Sequence, residues 1–228
     1  MIISIVKTQV QGFKNYLSTQ AKIIDEPLLH WESQYHFQKN WDINSDEFLS
    51  MYQKSISNTQ SRRYWQREQF TPKQSMEWFI NLDAAFVKMM FNDLFNEAKS
   101  VSGRIDRFIF YCDEMLERVR DVHKDKINNH YHDIPFVYYY LALRYPDQYS
   151  VYDVNNFRKT LELMKAMNIP QVADPDRYFK SSRILDKFLK EETGIEDMII
   201  KRLQTSLYIS GETLLPVNYF CYYCAHLN

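Results

Sequence analysis

Three histidines lie close together in one polar segment, and histidine is the side chain best suited to metal binding and proton transfer. His130 and His132 form a His-x-His pair, with His123 before them and Asp133 directly after them. Two imidazoles at this spacing can bind one transition-metal ion if a third ligand and an orienting partner are nearby. Asp133 also suits the N-cap of a following helix, and paired loop histidines are commonly solvated. We therefore expect no metal or other cofactor, with His130 and His132 as the alternative metal ligands.

Arg118 and His123 are the second pair that could do chemistry. Their Arg-x4-His spacing resembles that of the HEPN ribonucleases, a family of small helical proteins. The resemblance implies that His123 would act in metal-free acid/base catalysis on RNA and that Arg118 would stabilise phosphate charge. The polar residue that usually follows the arginine is Val119 in this chain. We expect a protein without catalytic activity, and a ribonuclease using Arg118 and His123 is the alternative.

The thiols do not form a recognisable zinc site. Cys221, Cys224 and His226 provide half of one, but Cys112 is the only other cysteine. On a helix, Cys221 and Cys224 lie one turn apart and join an apolar face. The pattern favours a core position for both.

A basic tract near the C-terminus indicates a different kind of function, because it has the pattern of an amphipathic helix with a cationic face. At 100° per residue its last four cations fall within about 80° of one another. Such a face can contact phosphates, with each contact adding salt-dependent affinity. A second cluster of arginines lies beside Tyr64 and Trp65, in a polar segment suited to base stacking. The candidate nucleic-acid contacts are Arg177, Lys180, Arg183, Lys187 and Lys190 in the tract and Arg62, Arg63 and Arg67 in the polar segment.

The composition excludes several classes of protein. The 228 residues include 28 Lys and Arg against 29 Asp and Glu, so the chain is not a generally basic nucleic-acid coat. Its 4 glycines are isolated, which excludes a P-loop and a Rossmann phosphate-binding loop. Neither a signal peptide nor a membrane-spanning segment is present in the pattern, so we expect a cytoplasmic location and no membrane partner.

Apolar residues recur at helical spacing through nearly the whole chain. In the clearest case, the stripe from Ile105 to Val119 repeats every three or four residues and includes Cys112, and Gly103 is predicted to separate this helix from the one before it. The pattern predicts an all-α fold, an irregular multi-helix bundle with a short extended segment near residues 149–152. Residues 1–60 are predicted to form an N-terminal helical segment and residues 71–228 the main helical domain, unless the two are continuous.

The order of several landmarks is similar to the helical region that precedes the AAA+ motor in McrB-like restriction NTPases. These landmarks are Trp65, Thr71-Pro72-Lys73, residues 89–95, Gly103-Arg104-Ile105, residues 129–133, residues 140–146 and residues 149–152. The resemblance covers roughly residues 40–228. It implies a module that recognises nucleic acid, while the motor and a partner nuclease do the catalytic work.

Taken together, these patterns predict a non-catalytic recognition or adaptor module of a McrB-like defence system. We expect an AAA+ NTPase subunit or a fused motor domain as the protein partner, and DNA or RNA as the ligand of the basic helix. Apart from the ribonuclease, the remaining alternative is a scaffold that only docks other proteins.

Overall fold

The computed structural model describes residues 1–19, 25–57, 72–123, 128–203 and 205–227. Within these ranges the chain forms ten α-helices and one short 3-10 helix, with no strand or sheet. The all-α prediction is therefore confirmed. The α-helices are α1 (Ile3–Ser18), α2 (Leu29–Asn40), α3 (Phe48–Ser55), α4 (Pro72–Leu94), α5 (Val101–His123), α6 (Ile134–Arg144), α7 (Val154–Leu163), α8 (Pro175–Glu191), α9 (Ile195–Arg202) and α10 (Leu215–His226), and the 3-10 helix is Glu26–Leu28.

Aspartate side chains begin α6 and α8. Asp133 accepts a hydrogen bond of 2.9 Å from the backbone amide of Phe136, and Asp174 accepts one of 2.9 Å from that of Arg177. Both helices also have a proline in their first turn, where its missing amide hydrogen removes no helical hydrogen bond. The predicted cap at Asp133 is correct, and each cap satisfies an amide that the helix itself cannot pair.

The positions of the breaks between and within helices differ from the sequence pattern around Gly103 and Asp83. Gly103 does not separate two helices but lies inside the first turn of α5, which begins at Val101. The backbone interruption lies instead at Asp83, in the middle of α4, where φ is −157° and ψ is 81°. Residues 149–152, expected to be extended, belong to neither a helix nor a strand.

Helix α6 lies at the centre of the molecule. All residues from 136 to 143 are buried, and α2 and α5 pack directly against the helix. Tyr138 contacts Tyr149, Tyr152 and Tyr178 with ring centroids no more than 5.6 Å apart. A helix that is apolar on every side must be enclosed by other elements, and α6 meets this requirement.

One hydrophobic core includes residues from both predicted segments, from Val6 in α1 to Cys224 in α10. Helix α1 packs against α8, α9 and α10, while α2 and α3 pack against α6 and α4, respectively. Across the described ranges, no helix combines the length and the apolar character needed to cross a bilayer.

Arg202 at the end of α9 connects α1 with α10 through hydrogen bonds. Its guanidinium donates hydrogen bonds to the carbonyl oxygens of Tyr16 at 2.6 Å and Leu17 at 3.2 Å, at the C-terminal end of α1. It also donates to the phenol oxygen of Tyr219 at 3.1 Å and lies 3.4 Å from the Asp25 carboxylate. Only 7% of the Arg202 side chain is exposed, so this arginine completes the end of α1 from within the interior.

Candidate functional site

The basic tract forms α8, and its two faces differ as the sequence pattern indicates. Tyr178, Leu185 and Leu189 are buried on one face. The other face exposes Lys180, Arg183, Lys187 and Lys190 to solvent. Because the apolar face is fixed in the core, the exposed cations are held on a rigid element.

Two cations of the tract are occupied by other parts of the protein. Arg177 donates to the carbonyl oxygens of Met167 and Asn168 in the preceding loop. The Lys190 ammonium lies 2.9 Å from a carboxylate oxygen of Asp186 and 3.6 Å from one of Glu212. Arg177 therefore has fewer free donors for an external phosphate, and the charge of Lys190 is partly balanced by the two carboxylates.

The remaining three cations form the available part of the tract. Arg183 donates to the amide oxygen of Gln148 at 2.7 Å and lies 5.1 Å from the ring centroid of Phe179. Lys180 and Lys187 form no ion pair or hydrogen bond with any residue in the described ranges. The candidate contacts Arg62, Arg63 and Arg67 lie outside the described residues.

Arg118 supports the interruption of α4. Its guanidinium donates to the carboxylate of Asp83 at 2.8 Å and lies 5.7 Å from the ring centroid of Phe86. The backbone amide of Phe86 and the Arg118 guanidinium lower the pKa of Asp83 below its usual value. The side chain of His123, the proposed partner of Arg118 in a ribonuclease, lies outside the part that the structure describes.

The histidine pair lies in the interior, contrary to the expectation of solvated loop residues. His130 is 7% exposed and His132 is 1% exposed, and their ring centroids are 5.5 Å apart. Tyr131 between them has a φ of 59°, in the left-handed region that non-glycine residues seldom adopt. This turn of the backbone brings both imidazoles to one side, next to the buried thiol of Cys112 on α5. One nitrogen of each imidazole and the Cys112 sulfur all lie within 4.8 Å of one another.

A chain of polar contacts orients the two imidazoles. His130 Nε2 lies 3.0 Å from a carboxylate oxygen of Asp113, and His130 Nδ1 accepts a hydrogen bond of 2.9 Å from the backbone amide of His132. His132 Nε2 lies 3.3 Å from the phenol oxygen of Tyr140, which is 2.8 Å from that of Tyr52. His132 Nδ1 is buried and has no hydrogen-bond partner among the described residues.

Burial determines the protonation of this cluster. It lowers the pKa of His130 and lowers that of His132 well below the ordinary value. It also raises the pKa of the Cys112 thiol. At neutral pH the two imidazoles are therefore uncharged, which is the state in which histidine binds a metal ion.

The two C-terminal cysteines belong to the core, as the sequence pattern favours. Cys221 and Cys224 are buried, and burial raises the pKa of the Cys221 thiol to about 12. His226 lies apart from them, with Nε2 2.8 Å from the amide oxygen of Asn156. Within the described ranges, Cys112, His130 and His132 are the one group with the proximity of metal ligands.

A cleft of about 700 Å³ opens beside the first turns of α6 and α7. Its walls include the carboxylates of Glu26, Asp133 and Asp153 and the buried amide of Asn218, whose Oδ1 has no hydrogen-bond partner in the part of the chain that the structure describes. The negative charge of these walls opposes phosphate binding, so the cleft and the cationic face of α8 suit different ligands.

We compared the chain with models of protein families, with curated proteins and with solved structures. None of the three comparisons finds a match.

Sequence reasoning missed the contact between Cys112 and the histidine pair. It placed Cys112 on the buried stripe of a helix and the histidines in a loop, but nothing in the spacing shows that these two elements meet. The available signal was the burial of Cys112 together with a His-x-His segment immediately before the most apolar helix of the chain.

Proposed function

We propose that this protein is a non-catalytic recognition or adaptor module that acts in the cytoplasm beside a McrB-like AAA+ NTPase. Its ligand contact would be the phosphate backbone of DNA or RNA, through the exposed face of α8. The observation that carries the proposal is the pair Lys180 and Lys187, which are exposed and unpaired within the described ranges and flank Arg183.

The geometry of α8 supports backbone contact over base recognition. Lys180 and Lys187 are seven residues apart, which places them two turns and about 10 Å apart along the helix. Lysine is a flexible point charge and Arg183 is partly engaged by Gln148, so no rigid donor fork faces outward. Such a face suits weak, salt-dependent binding that does not depend on base sequence.

Hydrogen bonds and ion pairs within the protein reduce the number of cations on α8 that can contact nucleic acid. Arg177 and Lys190, both predicted as contacts, already bond to loop carbonyls and to carboxylates. With two free lysines and one partly free arginine, the module alone would bind nucleic acid weakly. Attachment to a multi-subunit motor would raise the effective affinity by presenting several copies together.

The proposed motor partner follows from the resemblance and from the chemistry that this chain lacks. Its isolated glycines cannot form the phosphate-cradling loops that nucleoside triphosphate hydrolysis needs. Hydrolysis would therefore belong to the AAA+ partner. The ribonuclease alternative gains no support from Arg118, because its guanidinium is paired with Asp83 at the interruption of α4.

The test is a charge reversal on α8. In the double variant Lys180→Glu, Lys187→Glu we expect weaker binding to duplex DNA at every salt concentration. Loss of two phosphate contacts should reduce the slope of log K against log salt by about 1.8. Fluorescence polarisation titrations of labelled duplexes at several salt concentrations measure both quantities.

The matched control is Lys159→Glu, Lys201→Glu, which makes the same change of charge at exposed positions on α7 and α9. It should lose much less affinity and keep the wild-type salt slope. An equal loss in both double variants, or no loss in either, would contradict the assignment to α8. If the wild type binds no nucleic acid, the scaffold alternative replaces this proposal.

A further inference from the structure

His132 carries a nitrogen that the fold leaves without a hydrogen-bond partner. Its Nε2 faces Tyr140, whereas Nδ1 is buried and unpaired in the described structure. Burying a polar atom without a partner is unfavourable, so such an atom requires a physical explanation, and an absent ligand is one of them. His132 is also one of the three residues of the Cys112, His130 and His132 cluster.

His130 has the arrangement of a metal-binding histidine with its outer partner already in place. The Asp113 carboxylate lies at Nε2, which fixes the hydrogen on that nitrogen and leaves the lone pair on Nδ1. Nδ1 accepts the backbone amide of His132, consistent with this tautomer. A carboxylate on the outer nitrogen orients a ligating imidazole and makes it more basic.

The backbone conformation between His130 and His132 places the two imidazole side chains close together. The residue between them, Tyr131, has a left-handed backbone conformation, and the two imidazole ring centroids lie 5.5 Å apart. A non-glycine residue in this region is strained, and strain of this kind clusters at ligand sites.

We propose that Cys112, His130 and His132 bind one divalent transition-metal ion of the zinc class. A thiolate and two imidazoles are ligands preferred by Zn²⁺ and Co²⁺ over Mg²⁺ or Ca²⁺. In tetrahedral Zn²⁺ sites, neighbouring ligand atoms are about 3.3–3.6 Å apart, as the bond lengths require. The present limit of 4.8 Å therefore needs only side-chain rotation and a contraction of about 1 Å around the ion.

Binding of the metal ion would replace a proton on the Cys112 sulfur and a hydrogen bond at His130. A sulfur–metal bond forms and the S–H bond of Cys112 breaks, with its proton passing to solvent. The Nδ1 lone pairs of His130 and His132 form the two nitrogen–metal bonds, and the backbone amide of His132 loses its present acceptor. A water completes the four-coordinate shell. The oxidation state of the metal does not change.

The bound ion would cross-link α5 and the loop that precedes α6. All three ligands are buried, so the ion would fix the loop against the core. Metal binding at this cluster would be separate from the proposed function, since it requires neither α8 nor any nucleic acid.

The test is metal binding by the intact chain. Protein expressed with added zinc should contain one equivalent of zinc by mass spectrometry. After removal of zinc, added Co²⁺ should produce the absorption of a thiolate-to-cobalt charge transfer, saturating at one equivalent. Cys112→Ala should abolish this band, whereas Cys221→Ala, which removes another buried thiol, should keep it. The folded state of each variant is checked by circular dichroism.

If Cys112→Ala does not fold, a variant of the exposed residue Asp113 can still test whether the cluster binds a metal ion. Asp113 is 65% exposed, so Asp113→Asn leaves the core intact while weakening the outer partner of His130. It should reduce the metal affinity roughly 10- to 100-fold. Glu114→Gln, at the next exposed position, makes the same change of charge and should have no such effect. No bound metal in the wild type, a cobalt spectrum without the thiolate band, or equal affinities for the Asp113 and Glu114 variants would overturn the proposal.

Discussion

His30 is a buried imidazole whose protonation is coupled to folding. It is 5% exposed, and its Nδ1 lies 3.1 Å from the phenol oxygen of Tyr139 on the central helix. Burial lowers the pKa of His30 to about 3. The folded protein therefore keeps this imidazole neutral at pH values where the unfolded chain protonates it.

Stability should consequently decrease in acid through His30. Below about pH 6.5 the unfolded state binds one more proton than the folded state, so each pH unit removes about 1.4 kcal/mol until the folded pKa is reached. From pH 7 to pH 5 this amounts to about 2 kcal/mol. The variant His30→Gln cannot titrate, so its deficit relative to the wild type should shrink by that amount between the two pH values.

Urea denaturation of both proteins at pH 7 and pH 5 measures this change. The difference at pH 7 gives the packing effect of the substitution and serves as the internal control. A deficit that is the same at both pH values would contradict the neutral, buried state of His30.

Residues whose environment is set by their own helix could be predicted from sequence, and those set by a distant partner could not. The spacing of Ile105, Phe108 and Cys112 predicts burial, and all three are buried. The pairing of Arg118 with Asp83 spans 35 residues, and no periodicity encodes it. The same reason hides the contact of Cys112 with the histidine pair.

At the scale of elements, α1 and α10 approach each other closely at Gly12. A Cβ atom on Gly12 would lie 2.6 Å from the phenol oxygen of Tyr223 and 3.6 Å from the ring carbon that carries it. Only the hydroxyl therefore conflicts with a larger residue at position 12. Glycine permits this packing at the expense of helix propensity, which is about 1 kcal/mol lower than that of alanine.

This geometry predicts a coupling between the two positions. In a Tyr223→Phe background, Gly12→Ala should stabilise the protein by about 1 kcal/mol, because the conflicting oxygen is gone and the helix gains propensity. In the wild-type background the gain should be smaller by more than about 0.5 kcal/mol, the usual limit of additivity.

A double-mutant cycle by thermal or urea denaturation tests the coupling. Gly211→Ala is a control, since a Cβ at that position would have no atom within 4 Å. The same effect of Gly12→Ala in both backgrounds would show that the Tyr223 hydroxyl does not limit the packing of α1.

Element boundaries were predictable where a side chain caps a helix, as at Asp133. The start of α5 could not be predicted from Gly103, because a glycine in the first turn of a helix is compatible with helical backbone and need not mark a boundary. On α8 the sequence showed which residues share the polar face. It could not show that Lys190 pairs with Glu212 or that Arg177 bonds to the loop before the helix, because these partners are brought there by tertiary structure.

At the scale of the molecule, the shared core predicts cooperative unfolding. The hydrophobic cluster is continuous from Val6 to Cys224, and α6 is enclosed by helices from both predicted segments. We therefore expect residues 1–60 and residues 71–228 to unfold in one transition. In a Trp65→Phe, Trp78→Phe variant, the remaining tryptophans, Trp31 and Trp41, report on the first segment alone.

Tryptophan fluorescence and far-ultraviolet circular dichroism should then give the same urea midpoint. The wild-type protein, measured by circular dichroism, controls for any loss of stability in the variant. A fluorescence transition at clearly lower urea than the circular dichroism transition would show that the N-terminal segment unfolds as a separate unit.

The interaction of Arg202 with the end of α1 also has a consequence during translation. Leu17 and its bonding partner Arg202 are 185 residues apart in the chain. At the usual elongation rates of 5–20 residues per second, the ribosome needs about 10 to 40 s to synthesise the intervening segment. Throughout that interval the nascent first helix lacks both its terminal hydrogen-bond donor and the helices that cover it. Helix α1 would then lack its native contacts until the segment from α8 to α10 has left the ribosome.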